Sequence, residues 1–131
     1  MSEQLTNDFV SALATLEATR DAGPLKALYS SESKSGNVIA LDQFNGRGGA
    51  LQFWTEYRGA FGEAKSEFHN IIVGPQGAAL EWTTIGTSIA GKPVQYSGVT
   101  LLEMDGSKIT RSCAYFDPGA FGRQLTSDGS E

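Results

Sequence analysis

Leu5, Phe9, Ala12, Leu13 and Leu16 recur at three- and four-residue steps, the period of one apolar helix face. They predict a helix over residues 3–21, stopped by Gly23-Pro24. Pro24 suits the first turn of a short second helix over residues 25–29. Within residues 36–44 the run Val38-Ile39-Ala40-Leu41 predicts a short strand, and Asn45-Gly46-Arg47-Gly48-Gly49 reads as a turn. Helical spacing returns over residues 50–61. There Ala50, Trp54, Tyr57 and Phe61 share a stripe, Phe53 stands beside it, and Gly62 is the natural stop.

After Gly62 the period changes to that of strands, predicted over residues 65–73, 78–89, 94–104 and 108–116. Tight turns at residues 74–77, 90–93 and 105–107 join them into an antiparallel meander. Strands of this length twist and curl. Gly86 and Gly98 fall mid-strand, where bulges or bends are the expected reason. The polar end, residues 126–131, is expected to fray. Neither face of the meander is cleanly polar: Val94, Tyr96, Thr100, Leu102 and Met104 alternate with Val99 and Leu101. A sheet apolar on both faces is covered on both. The three helices cover only the concave side, so the convex side is a candidate homodimer surface. The expectation is one α+β domain over residues 1–125, with helices packed on a strongly curved antiparallel sheet and a pocket for a small apolar ligand between them.

Composition narrows the function classes. The 131 residues are 40% apolar, with 7 Phe, 4 Tyr and 2 Trp, enough for one core and some lining of a cavity. The net charge is −5, and the ten Lys and Arg form no run, which argues against a nucleic-acid partner. Cys113 is the only cysteine and His69 the only histidine, so an internal disulfide, a thiolate cluster and a multi-histidine zinc site are excluded. No stretch approaches the ~20 apolar residues of a membrane span. The first residues carry neither a basic nor an apolar leader pattern, and a cytoplasmic location is expected.

Three quoted stretches carry a resemblance: ALYSSES at residues 27–33, GRGGALQFW at 46–54, and EWTTIGTSIAGKPVQYSGVTLLEMDGSKITRSCAYFDPGAFGRQL at 81–125. In their order and spacing they resemble the nuclear transport factor 2-like (NTF2-like) superfamily, and within it the SnoaL-like polyketide cyclase and limonene-epoxide hydrolase branch. The resemblance covers nearly the whole chain and implies a cone-shaped sheet around a pocket. It does not fix a reaction, because the superfamily includes isomerases, cyclases, dehydratases, epoxide hydrolases and proteins that only bind.

The same resemblance points to Asp117, at the end of the last strand in YFD, as a pocket acid or base. Partial desolvation beside Tyr115 and Phe116 would raise its pKa toward that of a working base. Before Pro118-Gly119, Asp117 reads equally as a helix or turn cap. Asp42 falls where ketosteroid isomerases resemble this chain and carry an aspartate, with a solvated turn residue as the alternative. Their tyrosine falls on Leu13 and their second carboxyl near Thr100, so the oxyanion hole of that reaction is not reproduced. Glu81 lies near the water-orienting residues of the epoxide hydrolases, but its neighbours are Thr83 and Thr84, and Ser88 stands where SnoaL-like chains often carry a histidine. Trp54, Tyr57, Phe61, Trp82, Tyr96 and Tyr115 are candidates to line the pocket or to be core. Arg111 and Arg58 are the cations able to reach inside, against a surface ion pair as the plain alternative. His69 reads first as an ordinary strand residue and Cys113 as a small buried one. The expected function is a cofactor-independent, metal-free acid–base enzyme of the isomerase or cyclase type, acting on a polyketide-, terpenoid- or steroid-like ligand. The alternative is a non-catalytic binding or dimerising module.

Overall fold

The computed structural model describes residues 2–126. Its elements run α1 (Ser2–Thr19), α2 (Gly23–Lys26), β1 (Tyr29–Asn37), β2 (Ala40–Asn45), α3 (Gly46–Gly59), β3 (Phe61–Gly74), β4 (Gly77–Ser88), β5 (Pro93–Asp105), β6 (Lys108–Phe116) and α4 (Pro118–Thr126). The six strands form one unclosed, curved sheet in the order β2-β1-β6-β5-β4-β3. Of the polar end expected to fray, Thr126 closes α4 and residues 127–131 lie outside the described residues.

The meander of β3 to β6 is antiparallel throughout, as the alternation predicts. The N-terminal half departs from the reading in two ways. Residues 29–45 form a hairpin rather than one short strand, and Val38-Ile39 is its turn, held by Asn37 Oδ1, which accepts the amides of Ile39 (3.0 Å) and Ala40 (3.2 Å). β1 was hidden because it buries serines, Ser33 and Ser35, where an apolar alternation is sought. β1 also pairs with β6 in parallel, so the sheet is mixed rather than wholly antiparallel.

α1 ends where Arg20 turns left-handed (φ 67°), and its stripe of Leu5, Phe9, Leu13 and Leu16 is buried against the sheet and α3. A second apolar cluster of Phe61, Trp82, Val94, Tyr96 and Phe121 fills the space beneath α4. Phe61, expected at the end of the third helix, instead opens β3, because α3 starts at Gly46 and is complete by Gly59. Gly98 marks a close approach rather than a bulge. The β4–β5 ladder passes it unbroken, and a Cβ there would meet the Tyr115 carbonyl and stand 2.8 Å from the Trp82 ring. At Gly86 the irregularity lies on the neighbouring strand, between Phe61 and Ala64, whose backbone fills the space a side chain would need. Among the described residues, no helix is long and apolar enough to cross a membrane.

Candidate ligand-binding site

α3 turns the neighbouring Phe53 and Trp54 toward the cavity, and Tyr57, one helical turn on, joins them. The sheet answers from every second position: Trp82 and Thr84 on β4, Tyr96 and Thr100 on β5, Ala114 and Phe116 on β6. The rings meet edge to face, with centroids 5.6 Å apart for Trp54 and Tyr57 and 5.1 Å for Trp82 and Tyr96. Between them remains a cavity of about 20 Å³. That is room for one water molecule, well short of what a ring compound needs. Beside it, a groove of about 230 Å³ opens between the β1–β2 turn, α3 and α4, lined by Ile39, Phe44, Glu56, Ala60 and Phe121. Asn37, Phe53 and Tyr57 border both spaces.

The cavity wall is aromatic, but two hydrogen-bonded polar sets meet in it, the Tyr57–Tyr96 pair and the Glu17–Ser66–Thr84 set. Tyr57 and Tyr96 are joined hydroxyl to hydroxyl at 2.7 Å. Thr84 lines the same cavity, and its hydroxyl is 2.6 Å from that of Ser66. The Ser66 hydroxyl donates to Glu17 Oε2 (2.5 Å) and the Ser66 amide to Oε1 (2.9 Å). Glu17 is only 7% exposed. Burial pushes Tyr57 up to about 12, and burial followed by the neighbouring Tyr57 pushes Tyr96 higher still. Both phenols are therefore neutral around pH 7. Deeper in the cone the ring N–H groups are satisfied: Trp82 Nε1 donates to Thr100 Oγ1 (2.8 Å) and Trp54 Nε1 to the Tyr29 hydroxyl (3.0 Å).

Of the residues singled out in the sequence, Trp54, Tyr57, Trp82 and Tyr96 line the cavity, and Phe61 is buried within the second cluster. The two aspartates are not in the lining. Asp117 is the N-cap of α4, its Oδ1 accepting the amides of Gly119 (3.0 Å) and Ala120 (3.2 Å). Asp42, left-handed at φ 55° on β2, accepts from Arg111 Nε at 2.8 Å. Arg111 also reaches Glu103 (3.0 Å), and its guanidinium is held above its ordinary value chiefly by Tyr115 and Asp42. The pairing registers place Glu81, Arg111 and Tyr115 on the sheet face turned away from the cavity, because each is one residue out of step with the lining positions. There Glu81 accepts from Asn70 (2.9 Å), and His69 meets Thr83 (3.1 Å). Arg58 is buried and spends its donors on the carbonyls of Glu17, Phe61 and Gly62, with desolvation lowering its pKa. Cys113 is buried, and burial pushes its thiol up. No group of three or more metal-ligating side chains is found among the described residues.

Glu17 and Phe121 escaped the reading of the sequence. The signal for Glu17 was present: with Phe9 and Leu13 it falls at four-residue steps on the buried face of α1, a carboxylate where an apolar residue is expected.

Residues 8–112 match the SnoaL-like domain family. The chain belongs to that family. Its fold is shared by an NTF2-like protein of unknown function from Burkholderia pseudomallei, at 13% identity and a TM-score of 0.82 over 96% of this chain and 98% of the other. A putative isomerase from Rhodopseudomonas palustris superposes with a TM-score of 0.79 at 13% identity, covering 95% and 97% of the two chains. An LEH-like epoxide hydrolase from M. tuberculosis gives 0.71 at 19% identity, covering 93% and 86%. No curated protein matches the sequence. At these identities the neighbours establish the SnoaL-like fold and leave the reaction open.

Proposed function

We propose that this SnoaL-like domain takes a small, largely apolar ring compound beneath α4, with an oxygen of the ligand against the Tyr57–Tyr96 pair, and performs cofactor-independent acid–base chemistry of the isomerase or cyclase type. The observation that carries the reading is Tyr57, whose neutral hydroxyl pairs with that of Tyr96 in the inner cavity while its ring borders the open groove. A ligand entering along the groove meets apolar walls first and a polar end point last, the usual build of a small-molecule site. Phe121 of α4 lines the groove and packs on Tyr96 and Phe116 of the cavity wall, so a shift of α4 would widen the way between the two spaces. Asp117 lies at the hinge of that movement, next to Phe116 in the lining, so lifting α4 frees its carboxylate as a proton carrier.

A non-catalytic binding module is the second reading. It is favoured by the structural use of both aspartates, Asp117 in a cap and Asp42 in an ion pair. A thermal-stability screen of ring compounds on the wild type and Asp117→Asn separates the two, because asparagine keeps the cap. A ligand at 100 times its Kd stabilises by about 2.7 kcal/mol. Binding by both forms with turnover by the wild type alone supports the enzyme. Binding by both without turnover supports the module, and no binding by either rejects the site.

We also propose a second copy of this chain as the partner of the outer sheet face. Ile72 is 64% exposed and Ile85 49%, alongside Leu101 and Tyr115. Lys65, opposite Ile85, and Glu67, opposite Thr83, put both charges on that face, so a twofold-related copy can pair them. Sedimentation should show a dimer that Ile85→Asp converts to monomer. A monomeric wild type rejects this partner.

A further inference from the structure

Asp117 and Asp42 spend their carboxylates on a cap and an ion pair outside the cavity lining, but a third carboxylate is bonded to a lining residue. Glu17 follows Leu13, which lines the cavity, by one turn of α1, and both are buried. Its two oxygens accept from Ser66, Oε1 from the amide at 2.9 Å and Oε2 from the hydroxyl at 2.5 Å. Two accepting oxygens are the pattern of an ionised carboxylate, and so short a hydroxyl contact is that of a charge-assisted bond. Ser66 on β3 stands opposite Thr84 on β4, and Thr84 stands opposite Tyr96 on β5. The three therefore form one row on the sheet face that lines the cavity. With the Ser66 proton spent on Glu17, the 2.6 Å contact between Ser66 and Thr84 is filled by the Thr84 proton. Ser66 keeps one lone pair for a ligand, and its own proton already lies on the way to a carboxylate.

We propose that Ser66 and Glu17 form the proton-accepting pair of the cavity and remove a hydrogen from the carbon next to a ligand carbonyl. Ser66 is the catalytic residue of the pair. Glu17 is a positioning residue, since it acts on the ligand only through Ser66. In the step, the C–H bond breaks and its proton passes to Ser66 Oγ, while the Ser66 proton passes to Glu17 Oε2. The electron pair moves onto the carbonyl oxygen, which lies against the Tyr57–Tyr96 pair. Return of the proton to another carbon completes an isomerisation in which nothing is consumed. This inference rests on the ligand site proposed beneath α4, and it gives that site a base that needs no movement of Asp117.

Hydrogen exchange of 2-indanone in deuterium oxide tests the pair, because it reads proton removal even where no net reaction follows. Proton NMR follows the loss of the methylene signal, and titration gives Kd for each protein. The wild type should speed exchange over buffer. Glu17→Gln and Ser66→Ala should each lower the rate at saturation by about a hundredfold, with Kd nearly unchanged. Ser66→Ala keeps the amide bond to Glu17, so it decides the matter if Glu17→Gln fails to fold. A loss of rate that merely follows a loss of binding or of folded protein makes both residues structural and overturns the pair. Exchange that survives in both variants overturns it too, and its loss in Asp117→Asn instead returns the base to Asp117. If the wild type binds 2-indanone without exchanging it, the pair is no base while the ligand site stands. If it does not bind, the ligand site falls and the pair with it.

Discussion

The ring of Phe121 lies over that of Tyr96, with centroids 4.0 Å apart and planes 27° from parallel. Phe121 also packs against Phe61 and Phe116, so one side chain of α4 stands between the groove it lines and two rings of the cavity wall, Tyr96 and Phe116. Truncating it should cost about 3 kcal/mol, the lower end of the range for buried phenylalanine, because α4 lies at the edge of the core. The same change should merge the cavity with the groove and tighten binding of naphthalene-sized rings. Thermal denaturation and titration of Phe121→Ala measure both effects. A destabilised variant with no gain in binding would show that Phe121 is ordinary core rather than a plug.

Burial holds Tyr29 and Tyr57 at about 12, against an ordinary 10.0. A phenol with a raised value favours the fold while it keeps its proton. Its contribution is complete below pH 10 and is lost as pH rises through 12. Stability from urea unfolding should therefore be level up to about pH 9 and then fall by about 1.4 kcal/mol per pH unit for each such phenol. Tyr57→Phe should lessen that slope by one share, and a slope equal to that of the wild type would contradict the assignment.

Gly98 leaves no room for a side chain between the Tyr115 carbonyl and the Trp82 ring, 2.8 Å from where a Cβ would stand. Gly98→Ala must push that ring, which lines the cavity, or part β5 from β6. The expected cost is about 1–3 kcal/mol, as for other overpacked cores. Gly91 has open space around it but a φ of 86°, so Gly91→Ala should cost about 1 kcal/mol through backbone strain alone. Chemical denaturation ranks the two, and an equal or reversed order would show that the sheet yields at Gly98.

The meander and the α1 stripe were legible in the sequence because period and turn chemistry agree there, over segments long enough to be unambiguous. The β1–β2 hairpin was not. Its buried positions include Ser33 and Ser35, and of the apolar run Val38-Ile39-Ala40-Leu41 that suggests a strand, the first two residues are the turn and only the last two belong to β2. The aromatic lining could be named because rings on α3, β4 and β5 have one interior to fill. Orientation on β4 and β6 depends on register, which no local pattern fixes, and so the sequence alone groups Glu81, Arg111 and Tyr115 with residues that face the other way. Glu17 was passed over because a single acidic residue on an apolar face reads as an interruption until its partner, Ser66, is seen 49 residues away.

Trp82 and Thr100 give a last prediction, because both are buried and the bond between them (2.8 Å) lies at the floor of the cavity. Thr100→Val keeps the shape and removes the acceptor, leaving the indole N–H without a partner in an apolar wall. The cost of an unmet buried donor is about 1–3 kcal/mol. Thr100→Ser keeps the hydroxyl and loses a methyl, which costs about 1 kcal/mol through packing. If the bond fixes the Trp82 ring, valine should be the more harmful of the two and should broaden the indole N–H signal in NMR. If serine is the more harmful, packing of the Thr100 methyl outweighs the bond, and Trp82 is held by its neighbours Tyr96 and Gly98 instead.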